Sequence, residues 1–174
     1  SDLENYTQLS ENFMPEELVE GLNVYFSEMT DIIESHGGIV DKYMGDGILA
    51  FFENPEDAVI SAQASIKTAI AMQKKAVALD KKYREQKRFP FAIRVAITTG
   101  YAKVGNIGPK EKIDYTIIGS IVNLASRIQG VGKSGEVIID KDTHFFVKEN
   151  FKKHYEICFI PPLFLKGAKQ GGVF

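Results

Sequence analysis

Cysteine is all but missing from this chain: Cys158 is the only one in 174 residues, which excludes an internal disulfide framework and a cysteine-rich zinc site. A lone thiol in an apolar stretch is expected to be a small buried hydrophobe. His36, His144 and His154 are scattered without metal-ligand spacing and are expected to be structural or surface residues. A surplus of one charge is lacking too, since 21 Lys and Arg stand against 23 Asp and Glu for a net charge of -2. A general nucleic-acid binder needs a basic excess to displace counterions from phosphates, so no nucleic-acid partner is expected. No apolar run approaches the roughly 20 residues that span a bilayer, and no secretory leader pattern is visible. A cytoplasmic location follows as the expectation, whether the parent protein is free or tethered to a membrane.

What remains is enough for one core. The chain is 44% hydrophobic and 25% charged, a globular composition, and residues 1–174 read as a single domain. Ser1 leads straight into patterned sequence, so the domain is expected to be a fragment of a longer multidomain protein.

Helical and strand periods alternate without a low-complexity linker or repeat. Met14-Pro15-Glu16-Glu17 opens a helix whose stripe is Leu18, Leu22, Phe26, Met29 and Ile33, and Gly37-Gly38 closes it. Ile39 to Tyr43 and Ile48 to Phe52 read as strands joined by a tight turn at Gly45-Asp46-Gly47. Asn54-Pro55-Glu56-Asp57 starts a second helix running to about Lys87, with Val59, Ala62, Ile66, Ile70 and Met72 inward. A strand is expected over Phe91 to Thr98, then a hairpin or loop punctuated by Gly100, Gly105 and Gly108. Ile117-Ile118 reads as short and buried, Ser120 to Gln129 as a helix, and Val137 to Ile139 and Tyr155 to Ile160 as strands around a helical turn at Asp142 to Val147. The Phe145-Phe146 and Phe159 to Phe164 aromatics read as core or interface. This order suggests an α+β fold with helices over one antiparallel sheet.

Three places could carry chemistry. Asp46, between glycines at a strand-to-strand turn, suits a Mg²⁺ ion that takes one or two carboxylates and fills its shell with phosphate and water; Gly-Asp-Gly is equally ordinary turn chemistry. Asp2, followed by small or polar residues before a helix, could share that metal, with loop N–H groups cradling phosphate. Asn123 and Arg127 stand at i and i+4 on one helix, where an amide and a guanidinium suit a sugar and a phosphate, or merely decorate a surface.

The ordered string of segments resembles the catalytic domain of the class III nucleotidyl cyclases, the adenylyl and guanylyl cyclase homology domain. It comprises Ser1-Asp2-Leu3 with Thr7, His36-Gly37-Gly38-Ile39-Val40-Asp41-Lys42, Gly45-Asp46-Gly47, Gly105-Asn106-Ile107-Gly108, Asp114-Tyr115-Thr116 with Gly119, Val122-Asn123-Leu124-Ala125-Ser126-Arg127 and Leu165-Lys166-Gly167. It covers nearly the whole chain.

The resemblance implies a ferredoxin-like α+β unit that forms a homodimer with two active sites at the subunit interface. It implies that Asp2, Asp46 and the carbonyl of Leu3 hold two metal ions per site, Mg²⁺ or Mn²⁺. Asn5, Tyr6 and Thr7 correspond to the phosphate-cradling turn, and Arg94 and Lys166 to residues that neutralise phosphate. Asn123 would orient the ribose and Arg127 would stabilise charge on the α-phosphate. Lys42 and Thr116 match the purine-reading pair; guanylyl cyclases carry Glu and a small residue such as Cys there. The implied activity is that of an adenylate cyclase, a phosphorus-oxygen lyase making cyclic AMP and pyrophosphate from ATP. The alternatives are a guanylyl cyclase and an inactive nucleotide-binding or dimerising regulatory domain. The sequence departs from the family pattern at Asn5, where glycine is commoner, at Ala96 and Thr99, which replace Gly and His, and at Thr116, which is Asp in animal enzymes. No aromatic precedes Ser1, so the first strand is expected to be short and Asp2 loosely anchored.

Overall fold

A computed structural model describes residues 1–54, 56–84, 89–111 and 113–151, with the side chains of 84, 149 and 150 left aside. Tyr155 to Ile160, Cys158, His154, the aromatics Phe159 to Phe164 and Lys166 therefore lie outside the described residues.

The central strand is β1 (Asp2–Leu3). It pairs antiparallel with β4 (Ile93–Ile97), placing Asp2 opposite Arg94 and Leu3 opposite Ile93. On its other side Ser1 exchanges two backbone hydrogen bonds with Ile48, at 3.0 and 2.8 Å. That exchange joins the hairpin of β2 (Ile39–Met44) and β3 (Gly47–Phe51) to the sheet. Strand β7 (Val137–Ile139) adds in parallel at the far edge of β4 for the order β1-β4-β7, and the Ser1–Ile48 bonds extend it to β2-β3-β1-β4-β7. The α+β class and ferredoxin-like order agree with the sequence, and among the described residues β7 is the one parallel addition to the antiparallel set. Strands β5 (Lys103–Ile107) and β6 (Asp114–Ile118) form a separate antiparallel arm. The sequence placed Ile117-Ile118 inside, yet Ile117 is half-buried and Ile118 exposed, because both belong to this arm.

Helix α1 (Tyr6–Asn12) follows β1, and α2 (Pro15–Ser35) and α3 (Ala58–Arg84) cover one sheet face. Leu3, Ile48, Ile93 and Val95 meet Tyr25, Met29 and Ile33 of α2 and Ala69, Met72 and Leu79 of α3 there. Burying side chains of this size stabilises by about 1.5–3 kcal/mol each. The expected α2 stripe is displaced: Gly21 and Tyr25 are fully buried while Leu18, Leu22 and Phe26 are half-buried. Gly21 lets the helix approach Phe89, since a Cβ there would fall 2.4 Å from the ring. Gly37, at φ 80°, ends the helix in a Schellman turn with Gly38 N–H donating to Ile33 O at 2.9 Å.

Successive strand residues face opposite ways, so Asp2, Arg94 and Ala96 lie on the face away from α2 and α3. Helix α4 (Ser120–Gln129), with the bounds the sequence predicted, packs on that second face through Ile128 and Leu124 against Ile138 and Ala96. Helix α5 (Lys141–Phe151) is longer than the turn expected at Asp142 to Val147 and seats Val147 and Phe146 beside Ala62 and Ile66 of α3. Phe145 stays exposed.

Candidate active site

Two groups of site residues assemble on this frame. In the first, the turn between β2 and β3 carries Asp46 to the start of β1, where Leu3 N–H donates to Asp46 Oδ2 at 3.1 Å. Asp2, next along β1, is gripped by Arg94: Nε donates to Oδ1 at 3.1 Å and a terminal nitrogen to Oδ2 at 2.8 Å. Asp2 is thus firmly anchored despite its short strand, contrary to the expectation. Burial pushes the Asp46 carboxyl above its ordinary value, hydrogen bonds from the Asp46 and Leu3 N–H groups oppose this, and the nearby Asp2 charge adds to it. Tyr25 closes the floor, its hydroxyl 2.9 Å from Ser1 Oγ, and its phenol is driven up by burial.

Among the described residues no group of three His, Cys, Asp or Glu side chains could hold a metal. The donor set of Asp2, Asp46 and the Leu3 carbonyl nevertheless fits a hard divalent cation. It is all oxygen, rests on two carboxylates, and leaves positions for phosphate and water, the coordination Mg²⁺ adopts. Asn5 supplies the turn out of β1 with φ 58°, a left-handed conformation that Asn tolerates. Tyr6 and Thr7 fall in the first turn of α1 rather than in a loop, where backbone N–H groups lack intrahelical acceptors.

The second group lies where β2 meets the β5–β6 arm. Between Val40, opposite Ala50, and Lys42, opposite Leu49, β2 bulges, leaving Asp41 without a partner on β3. The bulge turns Asp41 toward β6. Its side chain is fully buried; Oδ1 accepts from Ile117 N–H at 3.0 Å and Oδ2 from Thr116 Oγ1 at 3.0 Å. Lys42 Nζ lies 3.3 Å from the same Oδ2. The structure therefore brings Lys42 and Thr116 together through Asp41. The sequence shows Asp41 within the family-like string 36–42 but assigns it no role.

Asn123 and Arg127 stand exposed on α4 and make no hydrogen bond or ion pair with any described residue. Thr99 has a structural place, its hydroxyl 2.7 Å from that of Thr143, beside the buried Asp140 that caps α5. His36 caps α2 through Ile32 O, and His144 is half-buried with its N–H on Asp140 O.

The family model for the adenylate and guanylate cyclase catalytic domain matches residues 1–173. The chain belongs to this family. Adenylate cyclase 1 of Rhizobium meliloti is 32% identical over 133 residues, covering 76% of this chain and 20% of that protein. The adenylate cyclase of Anabaena cylindrica is 35% identical over 140 residues, 76% of this chain and 26% of the relative. The chain thus spans about a quarter or less of these relatives' length. Among solved structures, the adenylyl cyclase CyaB from P. aeruginosa superposes with a TM-score of 0.89 at 34% identity, over 99% of this chain and 87% of that one. The guanylyl cyclase Cya2 follows at 0.85 and 31%, over 99% and 85%. These similarities lie too near each other to assign the purine. Among the described residues no helix is long and apolar enough to cross a membrane.

Proposed function

We propose that this cyclase domain is an adenylyl cyclase, converting ATP to 3′,5′-cyclic AMP and pyrophosphate by in-line attack of the ribose 3′-oxygen on the α-phosphorus. The observation that carries this is the pairing of Lys42 and Thr116 around Asp41. An ammonium donates to adenine N1, and a hydroxyl accepts from the 6-amino group. Guanine reverses both edges, presenting N1–H and a 6-oxo group, so it meets donor against donor at Lys42.

Asp2, Asp46 and the Leu3 carbonyl would hold two divalent cations, Mg²⁺ or Mn²⁺. When bound, such ions neutralise the triphosphate, acidify the attacking hydroxyl and ease the departure of pyrophosphate. The protein's own groups do the rest. Asn123 orients the ribose, and Arg127 places its guanidinium where charge accumulates on the α-phosphate. Lys166, the backbone of Asn5, Tyr6 and Thr7, and the terminal nitrogen of Arg94 not bonded to Asp2 receive the outer phosphates.

A complete site takes residues from two subunits of a homodimer, as the resemblance to the family implies. Tyr43 and Met44 of β2 and Tyr101, Ile113, Tyr115 and Ile118 on or beside the β5–β6 arm are all exposed, an apolar surface suited to such a partner.

The test is a turnover assay of the purified domain with ATP or GTP and Mg²⁺ or Mn²⁺, measuring cyclic nucleotide and pyrophosphate. Cyclic AMP should dominate. Cyclic GMP as the main product would assign a guanylyl cyclase, and no product from a folded dimer would assign a regulatory domain. Lys42→Glu with Thr116→Cys should shift the ATP:GTP ratio of kcat/KM toward GTP by about tenfold or more.

A further inference from the structure

Thr116 can read adenine only if its hydroxyl offers a lone pair rather than its proton, and a hydroxyl rotates freely unless something fixes it. Around Asp41 that choice is made. Oδ1 is taken by the Ile117 N–H at 3.0 Å, and Oδ2 faces Thr116 Oγ1 at 3.0 Å and the Lys42 ammonium at 3.3 Å. A carboxylate only accepts, so the Thr116 proton points at Asp41 and the remaining lone pairs point away from it. We infer that Asp41 is a specificity-determining positioning residue: it polarises Thr116 into an acceptor for the 6-amino group and holds Lys42 beside it. This inference rests on the adenine-reading assignment of Lys42 and Thr116.

The β2 bulge makes it possible. A regular strand would send Asp41 and Lys42 to opposite faces, whereas the unpaired Asp41 lets two successive side chains meet at one oxygen. The Asp41 side chain is wholly buried while that of Lys42 is 43% exposed. Asp41 is therefore the fixed anchor and Lys42 the open group, with Thr116, only 7% exposed, recessed beside them.

Asp41→Asn inverts the polarity at nearly constant shape. The Asn oxygen keeps the Ile117 N–H, its N–H₂ faces Thr116 Oγ1, and the Thr116 proton turns outward, where it suits the 6-oxo group of guanine. Read by kcat/KM and by competition of ATP and GTP against a bound fluorescent ATP analogue, the ATP:GTP preference should fall by about tenfold or more. Adding Thr116→Asp should restore it, because a carboxylate accepts without a proton to orient. With a native chain that prefers ATP, an unchanged preference in folded Asp41→Asn would overturn the inference while leaving the base readers standing. So would a failure of Thr116→Asp to restore it. A native chain without ATP preference would instead remove the base-reading assignment itself.

If Asp41→Asn does not fold, Thr116→Asn in the otherwise native chain decides. Asp41 would hold the amide N–H₂ and leave its carbonyl toward the base, so ATP preference should persist. A preference collapsing toward unity would overturn the inference.

Discussion

Arg94 holds Asp2 with both arms of its guanidinium, at 3.1 and 2.8 Å, across 92 residues of sequence. The two are register partners on β4 and β1, on the sheet face that α2 and α3 leave free. Each side chain is less than a quarter exposed, so the pair is shielded enough for its geometry to matter.

Arg94→Lys keeps the charge and loses the fork. Asp2 would then be held at one point rather than two, and its carboxylate would be free to swing. We expect kcat/KM for ATP to drop by about tenfold, while stability falls by only about 1 kcal/mol. Turnover and denaturant midpoints on one preparation check this. Unchanged turnover would mean that anchoring Asp2 is irrelevant to the reaction.

Asp46→Asn should abolish turnover with the fold nearly intact. An Asn oxygen can still accept the Leu3 N–H that Asp46 receives at 3.1 Å, so the β1 junction survives, while the anionic ligand is lost. Cyclic AMP production near the native rate in Mg²⁺, from a protein of native circular dichroism, would refute the assignment.

How much of this was legible in the sequence differs by feature. Helix α4 was bounded correctly because Gly119 and Gly130 bracket an amphipathic run. Asp2, Asp46, Lys42 and Thr116 could be picked out by resemblance, since each lies in a recognisable local string. Asp41 stands in such a string too, but its role could not be read, because a β-bulge is a change in pairing register that the alternation of one strand does not report. The burial of Tyr25 was hidden similarly: the apolar stripe of α2 is broad, and only the sheet beneath decides its centre. The Asp2–Arg94 pair depends on strand order, which local periodicity does not contain.

Asp140 tests a structural role outside the site. Only 3% exposed, it caps α5 by accepting the Thr143 N–H at 2.9 Å and the Thr99 N–H at 3.4 Å. Burial raises its carboxyl above the ordinary 3.8, with the Thr143 and Thr99 hydrogen bonds opposing. The folded chain therefore holds this proton more tightly than the unfolded one. Its contribution falls as pH rises from the ordinary value through the raised one, then levels off. Asp140→Asn keeps an acceptor and removes the charge, so at pH 7 it should cost little, and that pH-dependent loss should disappear. Asp140→Ala strands both N–H groups and should cost about 1–3 kcal/mol. Urea unfolding of the three proteins between pH 4 and pH 7 separates cap from charge; equal losses for Asn and Ala would show that the charge is what matters.

The proposed two-subunit site gives the last prediction. Asp2 and Asp46 would serve one cleft, while Lys42, Thr116, Asn123 and Arg127 of the same chain serve the other. In a symmetric dimer the clefts are equivalent and related by a two-fold axis. An Asp46→Ala chain and an Arg127→Ala chain should each be inactive alone. In a mixed dimer one cleft inherits both lesions and the other inherits neither. Random assortment makes about half of the dimers mixed, each with one intact cleft, so mixing should restore about a quarter of native activity if the clefts are independent. Arg127→Ala alone should lower kcat far more than it weakens ATP binding, because the charge it answers develops only near the transition state. The measurement is cyclic AMP release on titrating one variant into the other, with mixed dimers counted by mass. A mixture as inactive as its components, with mixed dimers present, would mean that each subunit carries its own complete site.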